Sequence, residues 1–241
     1  MQPQLDRLFG LTPKAKFEVR QTEAFRAASA SAEYNPPAPD GSWPGIFYVP
    51  ILDATKYNTV GMESLFLHEA IPGHHYQISI QMEQEGLPRF RQYAWYGAFG
   101  EGWALYSESL GKELGLYTDP YQYFGRLSGE MHRAIRLVVD VGMHSKGWTR
   151  EQAIQYSLDN EQTSEEDAIA EIERYMAIPG QALSYKIGEL KIKELRQKAE
   201  RELGSDFSIS AFHDEILKQG VMPLAVLEKR INDWIARQKQ A

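Results

Sequence analysis

The stretch Leu65-Phe66-Leu67-His68-Glu69-Ala70-Ile71-Pro72-Gly73-His74-His75-Tyr76-Gln77 carries the most information in the chain, because it places three of the six histidines within eight residues and beside a glutamate. A helix bearing His-Glu-x-x-His turns both imidazoles toward one metal and leaves the glutamate to act on the metal's water. Here Pro72 stands where the second histidine of that pattern would be. On an unbroken helix His68 and His74 fall on different faces, while His68 and His75 share a face but stand about 10 Å apart along the axis. Pro72 has no N–H to offer the carbonyl of His68, and its ring pushes that carbonyl away. Gly73 can take backbone angles that other residues avoid. The segment is therefore predicted as a helix over 62–84 interrupted at Pro72-Gly73, so that His74 returns beside His68 like a two-residue insertion in the usual spacing. His68 and His74 become candidate metal ligands and Glu69 the candidate general base. His75 is read as structural.

A catalytic zinc keeps three protein ligands and one water. The chain has no cysteine, so no disulfide or thiolate ligand is available and the third ligand must be a carboxylate. Glu101, in Gly100-Glu101-Gly102-Trp103-Ala104-Leu105-Tyr106-Ser107-Glu108, is the first choice. It follows His74 by 27 residues, enough for one helix to end and another to return. Glu108 shares its face but lies about 10 Å along the axis, so only one of the two can ligate and the other can support from behind.

From Gly61 onward the pattern is helical, with helices predicted near 88–98, 101–114, 120–145, 150–159, 165–177, 181–203, 209–218 and 223–238. Asp119 before Pro120, and Thr149 with Gln152, mark two helix starts. In the helix over 120–145 the segment from Ala134 to Met143 is apolar nearly all round, which predicts a buried helix, yet Arg133, Arg136, Asp140 and His144 share one narrow stripe. Such a stripe either pairs internally or lines a wet cleft. In the second case Arg133 or Arg136 would bind a peptide carboxylate and His144 would donate to an oxyanion.

Residues 1–60 are read as an irregular segment with short strands, packed on a helical region over 61–241. Ile46-Phe47-Tyr48-Val49 is β-branched and aromatic, and Pro50 predicts an edge strand, which would align an extended substrate and bring Tyr48 to it. The fold class expected is mainly α (α+β), a helical catalytic domain with a small N-terminal β-ribbon or edge strand.

Composition bounds the rest. With 241 residues, 43% of them hydrophobic, the chain can bury a sizeable core. A formal net charge of −7 leaves no basic face for phosphates, so no nucleic-acid partner is expected. No apolar run is long enough to span a membrane, and Met1-Gln2-Pro3-Gln4 lacks the features of a signal peptide. Cytoplasm and, after removal of a signal, periplasm both stay open as compartments.

Three ordered segments carry a resemblance: His68-Glu69-Ala70-Ile71-Pro72-Gly73-His74-His75 with Gln77, Gly100 to Glu108, and Pro179-Gly180-Gln181-Ala182-Leu183-Ser184-Tyr185-Lys186. From about residue 10 to 235 the chain resembles the bacterial family catalogued as domain of unknown function 885. That family is similar to helical zinc peptidases of the angiotensin-converting-enzyme, thimet-oligopeptidase and thermostable-carboxypeptidase type. The resemblance implies a helical zincin-like fold and a Zn2+ cofactor. It implies Tyr185 as a group stabilising the tetrahedral intermediate, with Tyr175 the second choice, and Lys186 beside it as a substrate contact. It also implies that the chain matches the C-terminal half of longer relatives, so an apolar face and a homo-oligomer are expected where a cleft wall is missing. The expected reaction is zinc-dependent peptide hydrolysis with Glu69 as base, on a peptide or small amide substrate. A zinc hydrolase of a non-peptide amide or ester, and a non-enzymatic helical binding domain with a structural histidine cluster, are the rival readings.

Overall fold

Asp119 accepts a hydrogen bond from the Tyr121 N–H and is followed by Pro120 at the first helical position, where a missing N–H costs nothing. Together they start the longest helix of the chain. In the computed structural model, which describes residues 2–27 and 30–240, the elements before residue 60 are α1 (Gln2–Leu8), β1 (Phe17–Gln21), α2 (Ala24–Ala27), β2 (Glu33–Asn35) and β3 (Gly45–Val49). Then follow α3 (Met62–Glu69), α4 (His74–Met82), α5 (Arg89–Gln92), α6 (Gly97–Ser109), α7 (Pro120–Lys146), α8 (Arg150–Asn160), α9 (Glu165–Ala177), α10 (Ser184–Leu203), α11 (Ile209–Leu217) and α12 (Leu224–Gln238). The chain is mainly helical with one small sheet. No helix among the described residues is long and apolar enough to cross a membrane.

The sheet has the order β1-β3-β2, with β1 parallel and β2 antiparallel to β3. This corrects the placement of Ile46–Val49, which lies in the central strand and not at an edge. Pro50 falls just past the last ladder residue, so its missing N–H removes no ladder bond. The two edges belong to β1 and to β2, the latter three residues hidden among turn formers. Alternation along β3 buries Phe47 and turns Tyr48 outward, where the Arg26 guanidinium covers its ring at 4.8 Å.

Two apolar cores result. The larger joins Leu5 and Leu8 of α1 to Tyr76, Trp103, Phe212 and Ile231. The smaller lies between α7, α8 and α9, around Ile135, Val139, Ala153 and Ile172. Helices α6 and α10 cross at backbone contact, since a Cβ on Gly102 would stand 2.4 Å from the Gly188 Cα. Only glycine at both positions allows that approach, and it carries Glu101 toward Tyr185.

Two helices differ from expectation. The predicted helix over 88–98 is helical only at Arg89–Gln92 and again from Gly97, where α6 begins, because the Gln81 Nε2 takes the carbonyls of Arg91, Gln92 and Ala94 that a continuous helix would use. Helix α7 is buried on one side alone. Tyr121, Phe124, Leu127, Met131, Val138 and Val141 face solvent, and of the charged stripe Arg136 and Asp140 lie inward while His144 is exposed.

His213 shows what burial does to a titratable group. It is wholly buried, with Nδ1 donating to the Leu8 carbonyl and Nε2 accepting from the Tyr106 hydroxyl. Burial pushes its pKa down to about 3. The unfolded chain, with the ordinary value near 6.5, takes up the proton first as pH falls. Its stability contribution is therefore complete above about 6.5 and lost progressively toward 3. We expect stability at pH 5 to be roughly 2 kcal/mol below that at pH 7.5 from this group. Urea unfolding at both pH values checks this, and His213→Gln should flatten the dependence.

Candidate metal centre

Helix α3 ends at Glu69 and α4 begins at His74, so Ala70 to Gly73 form the break between them, with a cis peptide bond joining Ile71 to Pro72. The break is held from α6, where Trp103 Nε1 donates to the Pro72 carbonyl at 2.8 Å. Gly73 presses against the end of α3. This arrangement brings the two imidazoles together at right angles, with ring centroids 4.9 Å apart.

Glu101 of α6 completes the group. His68, His74 and Glu101 each offer one ligand atom, all within 4.8 Å of one another. The Glu101 Oε2 lies 3.6 Å from His68 Nε2 and 3.3 Å from His74 Nε2. Two ligands about 2.1 Å from a tetrahedral zinc stand about 3.4 Å apart, so the spacing suits such an ion. The Glu101 Oε2 is also buried without a hydrogen-bond partner, a costly arrangement unless a cation answers it. Nitrogen and carboxylate donors with no thiolate fit zinc among the first-row ions.

Behind His68, Nδ1 meets the Glu108 carboxylate at 2.7 Å, and Ser64 donates to the other Glu108 oxygen. This bond fixes the orientation of the ring and turns the His68 Nε2 toward Glu101. Burial opposes charge on His68, but Glu101 and Glu108 outweigh it and raise its pKa to about 10. Burial likewise opposes ionisation of Glu101, and the two imidazoles hold its carboxyl well below the usual range. The cluster therefore holds a proton that a bound cation would displace.

Glu69 is buried and makes no hydrogen bond among the described residues, and it lines a cleft of about 330 Å³ with His68, His74, Glu101 and Tyr185. Burial pushes its carboxyl up, against the opposing pull of His68 and His74. Tyr185 stacks on His68 at 6.1 Å, and its hydroxyl accepts from Gln181 Nε2, leaving its own proton to donate. Burial and the nearby Glu101 raise its pKa, so it stays protonated.

The other candidates do not line this cleft directly. His144 is outside the cleft, its Nδ1 against the Asp140 carbonyl at 3.0 Å. Arg136 bonds Tyr175 and Glu171 and lies 4.8 Å from the Tyr185 ring, with one guanidinium nitrogen buried without a partner, while Lys186 is held by Glu130 and Glu189. Tyr48 faces Arg26. Each is a correction: the partners of Arg136 and Tyr48, and Glu130 for Lys186, come from other elements, which spacing along one helix does not reveal, whereas Asp140 meets His144 from four residues earlier on α7. Tyr175 is bonded to Arg136 and Glu171, one layer behind Tyr185. Arg133 alone of these cations makes no ion pair among the described residues, and it lies 5.8 Å from the Tyr185 ring. His75 is tied to Tyr34 at 2.9 Å, away from the metal cluster. Sequence reasoning missed Trp95, whose ring lies 5.9 Å from that of His74, and the β2 residues Glu33 and Tyr34 at the cleft wall. The available signal for Trp95 was the missing side chain at Gly100, against which the indole packs.

The family described as "Bacterial protein of unknown function (DUF885)" matches residues 1–231. The structure is similar to a solved "putative lipoprotein" from Colwellia psychrerythraea, at 46% identity and a TM-score of 0.94, covering 98% of this chain and 41% of that one. It is also similar to a solved "putative lipoprotein of unknown function" from Shewanella oneidensis, at 27% identity and a TM-score of 0.79, covering 97% of this chain and 42% of that one. The chain thus spans about two fifths of the length of these relatives. No curated protein matches it. By the extent of the family match, the chain belongs to this bacterial family, DUF885.

Proposed function

We propose that the chain is the catalytic part of a zinc-dependent peptide hydrolase. The observation that carries this reading is the group His68, His74 and Glu101, with an unanswered buried Glu101 oxygen and an unbonded Glu69 carboxylate on the same cleft. Zinc held there supplies a Lewis acid that makes water acidic near neutral pH and polarises a carbonyl. Glu69 takes the proton from the attacking water and passes it to the leaving amine. Tyr185 donates its hydroxyl proton in a hydrogen bond to the developing oxyanion. Glu108 keeps His68 in the orientation and tautomer that ligation needs. The free edge of β2 beside the cleft favours a peptide over a small amide, since an extended chain can pair with it. The description of the solved relatives as lipoproteins supports a place outside the cytoplasm, at a membrane surface.

Protein purified without chelator or tag should carry about one zinc per chain and cleave peptides from a mixed library, and chelation should stop cleavage. Glu108→Ala should weaken zinc about 10- to 100-fold by loosening His68, and Glu101→Ala should weaken it more. Absence of zinc, or the reverse order for the two glutamates, would overturn the ligand assignment.

A further inference from the structure

Next to the metal cleft lies a second cavity of about 370 Å³, and the two share Ile78 and Trp95 as a common wall. Its other walls are apolar: Pro36, Pro37 and Pro39 on one side, Met82 and Tyr93 on the other. Tyr93 and Trp95 are each about half exposed at its rim. The polar groups beneath it are already engaged. Gln81 donates to three carbonyls of the 91–94 connection and accepts from Gln77 Nε2 and the Val221 N–H, and Gln92 Nε2 donates to the Gln84 carbonyl. What the cavity presents to a ligand is therefore mostly carbon.

Its place relative to β2 says which ligand. Glu33 and Tyr34 border the metal cleft, β2 ends at Asn35, and Pro36 and Pro37 follow directly. A peptide paired with the free edge of β2 loses its ladder partner at the prolines, which have no N–H. At that point, one or two residues from the metal cluster, the peptide passes the mouth of the apolar cavity.

We propose that this cavity is a specificity subsite for one large apolar side chain, such as Leu, Met or Phe, on the peptide hydrolysed at the metal centre. The proposal rests on the peptidase reading. Hydrolysis itself is unchanged: water adds across the C–N bond, giving a carboxylic acid and an amine. The cavity selects which bond lies over the metal. Excluding a charged or small side chain from a pocket of this kind is worth tenfold or more in kcat/KM.

The test uses the zinc-loaded chain and a peptide set varied one position at a time, with Phe, Leu, Ala, Asp and Lys at each. One position should prefer Phe or Leu over Ala and Asp at least tenfold. Met82→Lys, which puts a cation in the pocket away from the metal ligands, should abolish that preference, and Tyr93→Ala should reduce it. Binding is read independently of turnover by chemical-shift titration of Glu69→Gln protein with N-acetyl-phenylalanine amide against N-acetyl-aspartate amide. The first should bind, and Met82→Lys introduced into the same protein should remove binding. Peptide hydrolysis with no apolar preference at any position overturns the subsite and leaves the peptidase reading standing. Absence of hydrolysis, together with binding of N-acetyl-phenylalanine amide that Met82→Lys removes, keeps an apolar ligand site and overturns the peptidase reading. A preference that both Met82→Lys and Tyr93→Ala leave intact also overturns the subsite.

Discussion

Glu69→Gln is expected to bind zinc as the unaltered protein does and to hydrolyse peptides about 10²- to 10⁴-fold more slowly, the range that a general acid or base contributes. The substitution keeps shape and hydrogen-bonding capacity but removes the ability to take a proton. Glu69 adjoins the proposed ligand His68, yet the group that could hold an ion is formed by His68, His74 and Glu101. Its carboxylate lines the cleft without a hydrogen-bond partner among the described residues. Burial shifts its carboxyl toward neutrality, which suits a group that must first accept a proton and then give it up. Zinc analysis and peptide kinetics on the same preparation check the prediction. An unchanged rate with zinc in place would remove Glu69 from the mechanism. Loss of zinc would make Glu69 a ligand.

How much of this was legible in the sequence depends on how local the cause was. The break between α3 and α4 could be read from Pro72 and Gly73, because the missing N–H and the missing Cβ act within one turn. The helix start at Asp119-Pro120 and the capping box of Thr149 and Gln152 were legible for the same reason. The mainly helical class followed from the periodicity after Gly61. The position of Ile46–Val49 was not legible, since strand order depends on which segments pair and β2 offers only three residues with no strong strand signal. The engagement of Arg136 by Glu171 and of Lys186 by Glu130 was not legible because those partners belong to other helices, whereas the contact of His144 with Asp140 lies within the charged stripe of α7 itself. The apolar face of α7 misled in the opposite sense. Its composition predicts burial, and in this chain one side of it meets solvent.

Gly73→Ala is expected to cost about 3 kcal/mol or more and to remove the metal as completely as His74→Ala does. The reason is contact with backbone. A Cβ on Gly73 would stand 1.8 Å from the His68 carbonyl oxygen and 2.3 Å from that of Leu67. Neither oxygen can turn aside as a side chain would, because both belong to the last turn of α3. The His68 carbonyl stands where the N–H of residue 72 would complete a helical bond, and Pro72 has none, so Gly73 fills the space that the broken helix leaves. Relief of the clash requires α3 and α4 to move apart, which separates His68 from His74 and strains the bond from Trp103 to the Pro72 carbonyl. Thermal unfolding with and without added zinc, together with zinc stoichiometry, measures both consequences. His74→Ala is the control, because it removes a ligand and leaves the break intact, so it should lose zinc with a smaller loss of metal-free stability. A Gly73→Ala protein that melts like the unaltered chain and holds a full equivalent of zinc would show that the close approach of the two helices is not what assembles the site.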